Sequence, residues 1–239
     1  MAAITVLTFL KYYVIIYIES EEEDMDNVMQ VYIVNAVEEL FEKANIEPKK
    51  LYSGSPYVKK LKEFCYENEF SFATGASKMV FTNLVEDYVI KIPFVGNYSS
   101  YADEYYSFGI EDHIQKEIDD FNRFIKGSLI EDLFIPNEYV GQVGAIKIYA
   151  QEKVDTYEEV GSSEPISDEV YTSAEDCCYW DVCGDSIEAV CIFYVEYGVE
   201  EGERILSELG NLEISDIHEG NLGYKNGRLV IFDYAGFMG

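Results

Sequence analysis

The chain has 239 residues, 48% of them hydrophobic, enough to bury a sizeable core. Its formal charge is −29, from 46 acidic and 17 basic residues, which argues against a nucleic-acid-binding or anionic-membrane surface. Cys65, Cys177, Cys178, Cys183 and Cys191 are odd in number and form no Cys-x-x-Cys pair. Reduced, packed thiols in a cytoplasmic protein are therefore expected, rather than zinc or disulfides. Ile4 to Ile18 is apolar but contains Lys11, and it lacks the basic start and small-residue cleavage site of a signal peptide. It is also short for a membrane span, so a strand or buried helix is expected there. A helix should start at Asp26 and run through Val31, Val34, Val37, Phe41 and Ala44. Ser55-Pro56 should start another, through Val58, Leu61 and Cys65, with Pro in the first turn.

Further along, Phe70, Phe72, Val80 and Phe81 flank Ala73-Thr74-Gly75-Ala76-Ser77-Lys78, a hairpin with a small-residue tip. Such a tip can lay backbone N–H groups over phosphates. Asp87 to Phe94 reads as a strand in which Lys91 faces away from Ile90 and Ile92. Asp112 to Lys126 has Ile114, Ile118, Phe121 and Ile125 at helical spacing. Glu117 falls on or beside that apolar face, where an unpaired carboxylate is costly. Asn137 to Gly144 and Ala145 to Ala150 read as strands, with Gln151, Glu152 and Lys153 leading out of the second. Asp185 to Leu209 reads as one long helix stopped by Gly210, and Leu212 to Ile214 as a short strand. Ser215-Asp216-Ile217-His218-Glu219-Gly220-Asn221 is then a polar loop. After it, the Asn226-Gly227 turn should fold Arg228 to Asp233 back toward Asn221.

An Asp, an Asn five residues on, and a strand ending in Asp-Tyr-Ala-Gly together resemble the protein-kinase-like superfamily. The Asp-x-His-x-Gly-Asn form is nearer the aminoglycoside and choline kinase branch and small bacterial and phage kinase-like proteins. Val89-Ile90-Lys91-Ile92 is similar to that family's Val-Ala-Ile-Lys strand. The resemblance implies an α+β, two-lobed kinase-like fold with a reduced C-terminal lobe. Residues 1–66 would be an N-terminal extension, 67–150 the ATP-binding lobe and 151–239 a minimal C-lobe. It also implies an ATP- and Mg²⁺-dependent phosphotransferase acting on an unidentified protein or small-molecule hydroxyl. Asp216 would act as base, Lys91 would hold the α/β phosphates, and Glu117 would orient Lys91, with Glu104 as the alternative partner. Gly75, Ser77 and Lys91 would bind ATP together with a hinge at Gln151, Glu152 and Lys153. Asn221 and Asp233 would hold the metal.

The pattern departs from protein kinases in three places. One glycine of three survives at Ala73, Gly75 and Lys78; Ile214-Ser215 stands where the family has His-Arg; three residues follow Gly236, so no activation segment is expected. From Glu152 to Glu203 the only base is Lys153. A second expectation is therefore an inactive pseudokinase, or an acidic decoy that occupies a basic protein partner.

Overall fold

The computed structural model describes residues 5–9, 13–17, 22–108, 112–157, 166–177, 182–183 and 186–234. It is a mixed α+β structure whose helices cover a mainly antiparallel sheet. The apolar N-terminal stretch forms a separate hairpin, β1 (Thr5–Phe9) and β2 (Tyr13–Tyr17). Helix α1 (Glu22–Lys43) begins four residues earlier than its apolar spacing predicts. A short strand, β3 (Leu51–Ser53), precedes α2 (Pro56–Glu67). The Ser55 hydroxyl caps α2 by accepting from the Val58 N–H, Pro56 occupies the first turn, and Val58, Leu61 and Cys65 are buried. Val58 and Leu61 each contribute about 1.5–3 kcal/mol by leaving water.

The large sheet has the order β4 (Phe72–Thr74), β5 (Lys78–Phe81), β6 (Tyr88–Ser99), β9 (Ile146–Glu152), β8 (Glu138–Val143). The far half of β6 also pairs with β3, in parallel, and with β7 (Glu104–Ser107). Strand alternation gives the sheet two unlike faces. One presents Met79, Phe81, Ile90, Ile92, Ile146, Ile148 and Ala150 to α1 and α2, forming the first core. Residues 33–65 thus share a core with the strands that follow, instead of standing apart as an extension.

A second core lies downstream of α3 (His113–Asp120). It begins at the π-helical turn Phe121–Ile125 and continues through Leu133 and Phe134, ahead of the 150/151 boundary expected from the sequence. It includes Ala174 of α4 (Asp168–Glu175), a helix without a clear apolar repeat. Most of it comes from α5 (Ile187–Tyr197) and α6 (Val199–Asn211). The long helix expected over 185–209 is broken at Gly198, whose φ of +79° favours glycine. The break lets α6 fold back until Gly202 lies so close to Tyr194 that a Cβ would meet its ring at 2.6 Å. Helix α6 runs through Gly210 to Asn211, and Leu212–Ile214 form no strand.

After the 3₁₀ turn Glu219–Asn221, β11 (Leu222–Lys225) and β12 (Arg228–Ile231) form a hairpin, to which β10 (Asp155–Thr156) adds a third strand. Asn226 and Gly227 have φ of +54° and +75°, the two-residue turn that an Asn-Gly pair predicts. The Ile135 N–H donates to the Ile231 carbonyl at 3.0 Å, joining the segment between α3 and β8 to this hairpin. Cys65, Cys183 and Cys191 are buried free thiols and Cys177 is buried; Cys178 lies outside the described residues. No helix among the described residues is long and apolar enough to cross a membrane.

Candidate functional site

The second face of the large sheet is polar. In the register, Lys78 opposes Pro93, Val80 opposes Lys91, and Lys91 opposes Tyr149. Alternation therefore puts Lys78, Lys91, Tyr149 and Gln151 on one side, opposite the first core. Helix α3 and the segment after β12 close over them. Asp112 caps α3 by accepting from the Gln115 N–H, and its second oxygen accepts from the Tyr149 hydroxyl at 2.6 Å. That anchors the helix start to the sheet and turns Glu117 inward, where it is buried.

Lys78 Nζ lies 3.1 Å from Glu117 Oε1 and 2.6 Å from Asp233 Oδ1. Glu117 Oε2 accepts from Asn137 Nδ2 at 2.7 Å, and the Glu117 carbonyl accepts from the Tyr234 hydroxyl at 3.3 Å. The Lys91–Glu117 pair expected from the sequence does not form; Lys78 takes the glutamate instead. The reason is register. Lys78 sits diagonally across from Lys91 on the neighbouring strand, and its ammonium lies between both carboxylates. Lys91 is 2% exposed and donates to the Phe232 carbonyl at 3.3 Å; among the described residues it has no ion pair. Glu104, the alternative partner, lies on exposed β7, follows a turn instead of opening a helix, and accepts from the Tyr106 hydroxyl.

The charges perturb one another. Burial pulls the Lys91 pKa down to about 8, and the Lys78 charge beside it acts in the same direction. Burial also pulls on Lys78, but Glu117 and Asp233 more than offset it, and its net direction is up. Burial pushes Asp233 up, and the two lysines overcome that to hold it below its ordinary value.

The loop Ser215–Asn221 is tied to Asp233 through backbone. Asn221 Nδ2 donates to the Asp216 carbonyl at 2.7 Å, and the Phe232 N–H donates to the Asn221 carbonyl at 3.1 Å. Asp216 itself is exposed, with φ +62°, a conformation uncommon outside glycine that Asp and Asn tolerate best. Because the Asn221 amide nitrogen is committed, its oxygen is the free end. Asn221 Oδ1 and the Asp233 carboxylate are hard oxygen donors of the kind Mg²⁺ takes, with its other positions filled by waters and phosphate oxygens. No cluster of three or more His, Cys, Asp or Glu side chains suited to a metal occurs among the described residues.

The remaining predicted residues are placed as follows. Gly75, exposed, and Ser77, half-buried, lie in the tip between β4 and β5; the Gly75 N–H donates to the Lys78 carbonyl at 3.1 Å, and a side chain at Gly75 would meet open space. Gln151 is buried, and its Nε2 donates to the Ile135 carbonyl at 2.6 Å and the Phe232 carbonyl at 2.8 Å. Glu152 pairs with Lys225. The Lys153 N–H, at the expected ATP-binding hinge, donates to the Asp87 carbonyl at 2.9 Å, because the β6–β9 ladder continues past Glu152. Residues 235–239, including the predicted Gly236, lie outside the described residues. Lys78 and Asn137 were missed by sequence reasoning. Lys78 is legible only once β5 and β6 are paired, and nothing local marks Asn137. A surface hollow of about 410 Å³ beside β4, lined by Tyr66, Phe70, Ser71, Phe72, Ala73 and Thr82, shares no residue with this cluster.

No known protein family, curated protein or solved structure matches this chain.

Proposed function

We propose that the chain is a phosphotransferase with a two-lobed, protein-kinase-like fold, which transfers the γ-phosphoryl group of ATP to a hydroxyl acceptor. The observation that carries this reading is convergence. Residues 78, 91, 117, 221 and 233, distant in sequence, meet where the polar sheet face approaches the β11–β12 hairpin. Two buried ammonium groups, an amide oxygen and a carboxylate in a dry setting suit a polyanion whose charge shifts during reaction.

In this reading the exposed Asp216 carboxylate accepts the proton of the acceptor hydroxyl as its oxygen attacks phosphorus and ADP leaves. Asn221 fixes the Asp216 backbone through its amide nitrogen. Lys91, without a carboxylate partner, directs its charge to the phosphates. Glu117 acts at one remove, by holding Lys78. Bound at Asn221 and Asp233, Mg²⁺ would neutralise phosphate charge. The test is turnover of labelled ATP with protein, sugar and amino-alcohol acceptors; transfer should be present in wild type and lost in Asp216→Ala. Equal turnover in both overturns the assignment.

A second reading, a nucleotide-binding pseudokinase, is favoured by one specific contact. Asp233, the proposed metal ligand, is already engaged by Lys78 at 2.6 Å. Nucleotide binding without transfer to any acceptor would support it.

A further inference from the structure

The Lys78 ammonium occupies an unusual place. It bridges Glu117 and Asp233, its side chain is 10% exposed, and it sits on the same sheet face as Lys91. The four charged side chains, Lys78, Lys91, Glu117 and Asp233, sum to zero as formal charges. Without Lys78 the same group carries a net negative charge and repels a triphosphate unless another cation enters. With Lys78 in place the neutralisation is already covalently attached, and Asp233 Oδ1 accepts a hydrogen bond from that ammonium. Glu117 is held from its other side by Asn137, so Lys78 is fixed between two anchored carboxylates.

We infer that Lys78 is a tethered counter-cation: it competes with a divalent metal for Asp233 and lets the site take a nucleoside triphosphate without one. The inference rests on the phosphotransferase reading for its ligand, and it adds a metal-free mode of binding to that reading. Lys78 is a positioning residue here, acting on the ligand through the charge of Glu117 and Asp233.

Two equilibrium measurements test it. ATP binding is followed by titration calorimetry in excess EDTA and again in excess Mg²⁺. Mn²⁺ binding to the nucleotide-free protein is followed by electron paramagnetic resonance. In wild type, ATP should bind in EDTA within about threefold of its Mg²⁺ affinity. Lys78→Gln should lose about tenfold or more in EDTA, recover in Mg²⁺, and bind Mn²⁺ about tenfold more tightly than wild type. Lys78→Arg keeps the charge and serves where Lys78→Gln does not fold; it should retain binding in EDTA and weak Mn²⁺ affinity. Wild-type ATP binding that requires Mg²⁺ overturns the inference and leaves the phosphotransferase reading standing. So does a folded Lys78→Gln or Lys78→Arg that departs from these expectations. Absence of ATP binding in both buffers overturns both.

Discussion

The two buried lysines should respond oppositely to the same substitution. Lys78 and Glu117 have side chains only 10% exposed, and Lys78 also holds Asp233. Lys78→Met leaves Glu117 with one neutral donor, Asn137, and leaves Asp233 without its ion pair. Breaking a buried pair from one side costs about 3–5 kcal/mol, a large part of a domain's stability. Lys91 has no ion pair among the described residues, and burial lowers its pKa from 10.5 to about 8. That depression corresponds to about 3 kcal/mol at neutral pH. Lys91→Met, which keeps most of the apolar stem, should therefore stabilise the nucleotide-free protein by up to about 3 kcal/mol. Urea unfolding at neutral pH, followed by circular dichroism, reads both changes. A double-mutant cycle should give a coupling of about 1–3 kcal/mol for Lys78 with Glu117, and a smaller one for Lys91 with Glu117. If Lys91→Met destabilises as much as Lys78→Met, or if the couplings are reversed, the register argument that gives Glu117 to Lys78 is wrong.

Between about pH 8 and 10.5 folded Lys91 binds fewer protons than unfolded Lys91, so its contribution to stability should rise with pH across that window and be fully unfavourable below it. The difference in unfolding free energy between wild type and Lys91→Met, measured against pH, should shrink accordingly; a constant difference refutes this. Asp233 has a lowered pKa, so its stabilisation is complete above the ordinary carboxylate range and lost as pH falls through the folded value. Asp233→Asn should flatten that acid limb in the same titration. Ser55→Ala removes the α2 cap and should cost about 1 kcal/mol in urea unfolding. Burial pushes the Cys183 thiol up to about 12 and Cys65 to about 11, so a thiol reagent at neutral pH should label them at the rate of unfolding.

Features written locally were legible in the sequence. The Ser55-Pro56 cap, the Asn226-Gly227 turn and the inward position of Glu117 each follow from a few neighbouring residues and a helical or strand period. The return of β12 toward Asn221 is equally local, and the Phe232 N–H completes it. What the sequence hid depends on pairing between distant segments. Lys78 looked like the imperfect end of a glycine-rich loop, because its neighbours along the chain say nothing about Asp233. The Lys153 N–H looked available because the continuation of β9 against Asp87 is set by the sheet. Gly198 was submerged in a continuous helical period. A single glycine costs a helix only about 1 kcal/mol, so the period alone does not predict whether the chain bends there. Strand β3 is three residues long and pairs in parallel with β6, which leaves no periodic signal at all.

The first sixty-odd residues have a role at the far side of the sheet from where they lie. Helices α1 and α2 panel the face carrying Met79, Phe81, Ile90 and Ile92, and these residues alternate along β5 and β6 with Lys78 and Lys91. The ammonium groups on the front are thus aimed by apolar packing on the back. A cavity opened beneath Met79 or Ile92 would tilt the strand that carries a lysine, and so disturb the charge cluster from behind. For this chain the amino-terminal helices are the footing of the lysine-bearing sheet face, and a fragment trimmed to residue 67 would lose the surface its charges stand on.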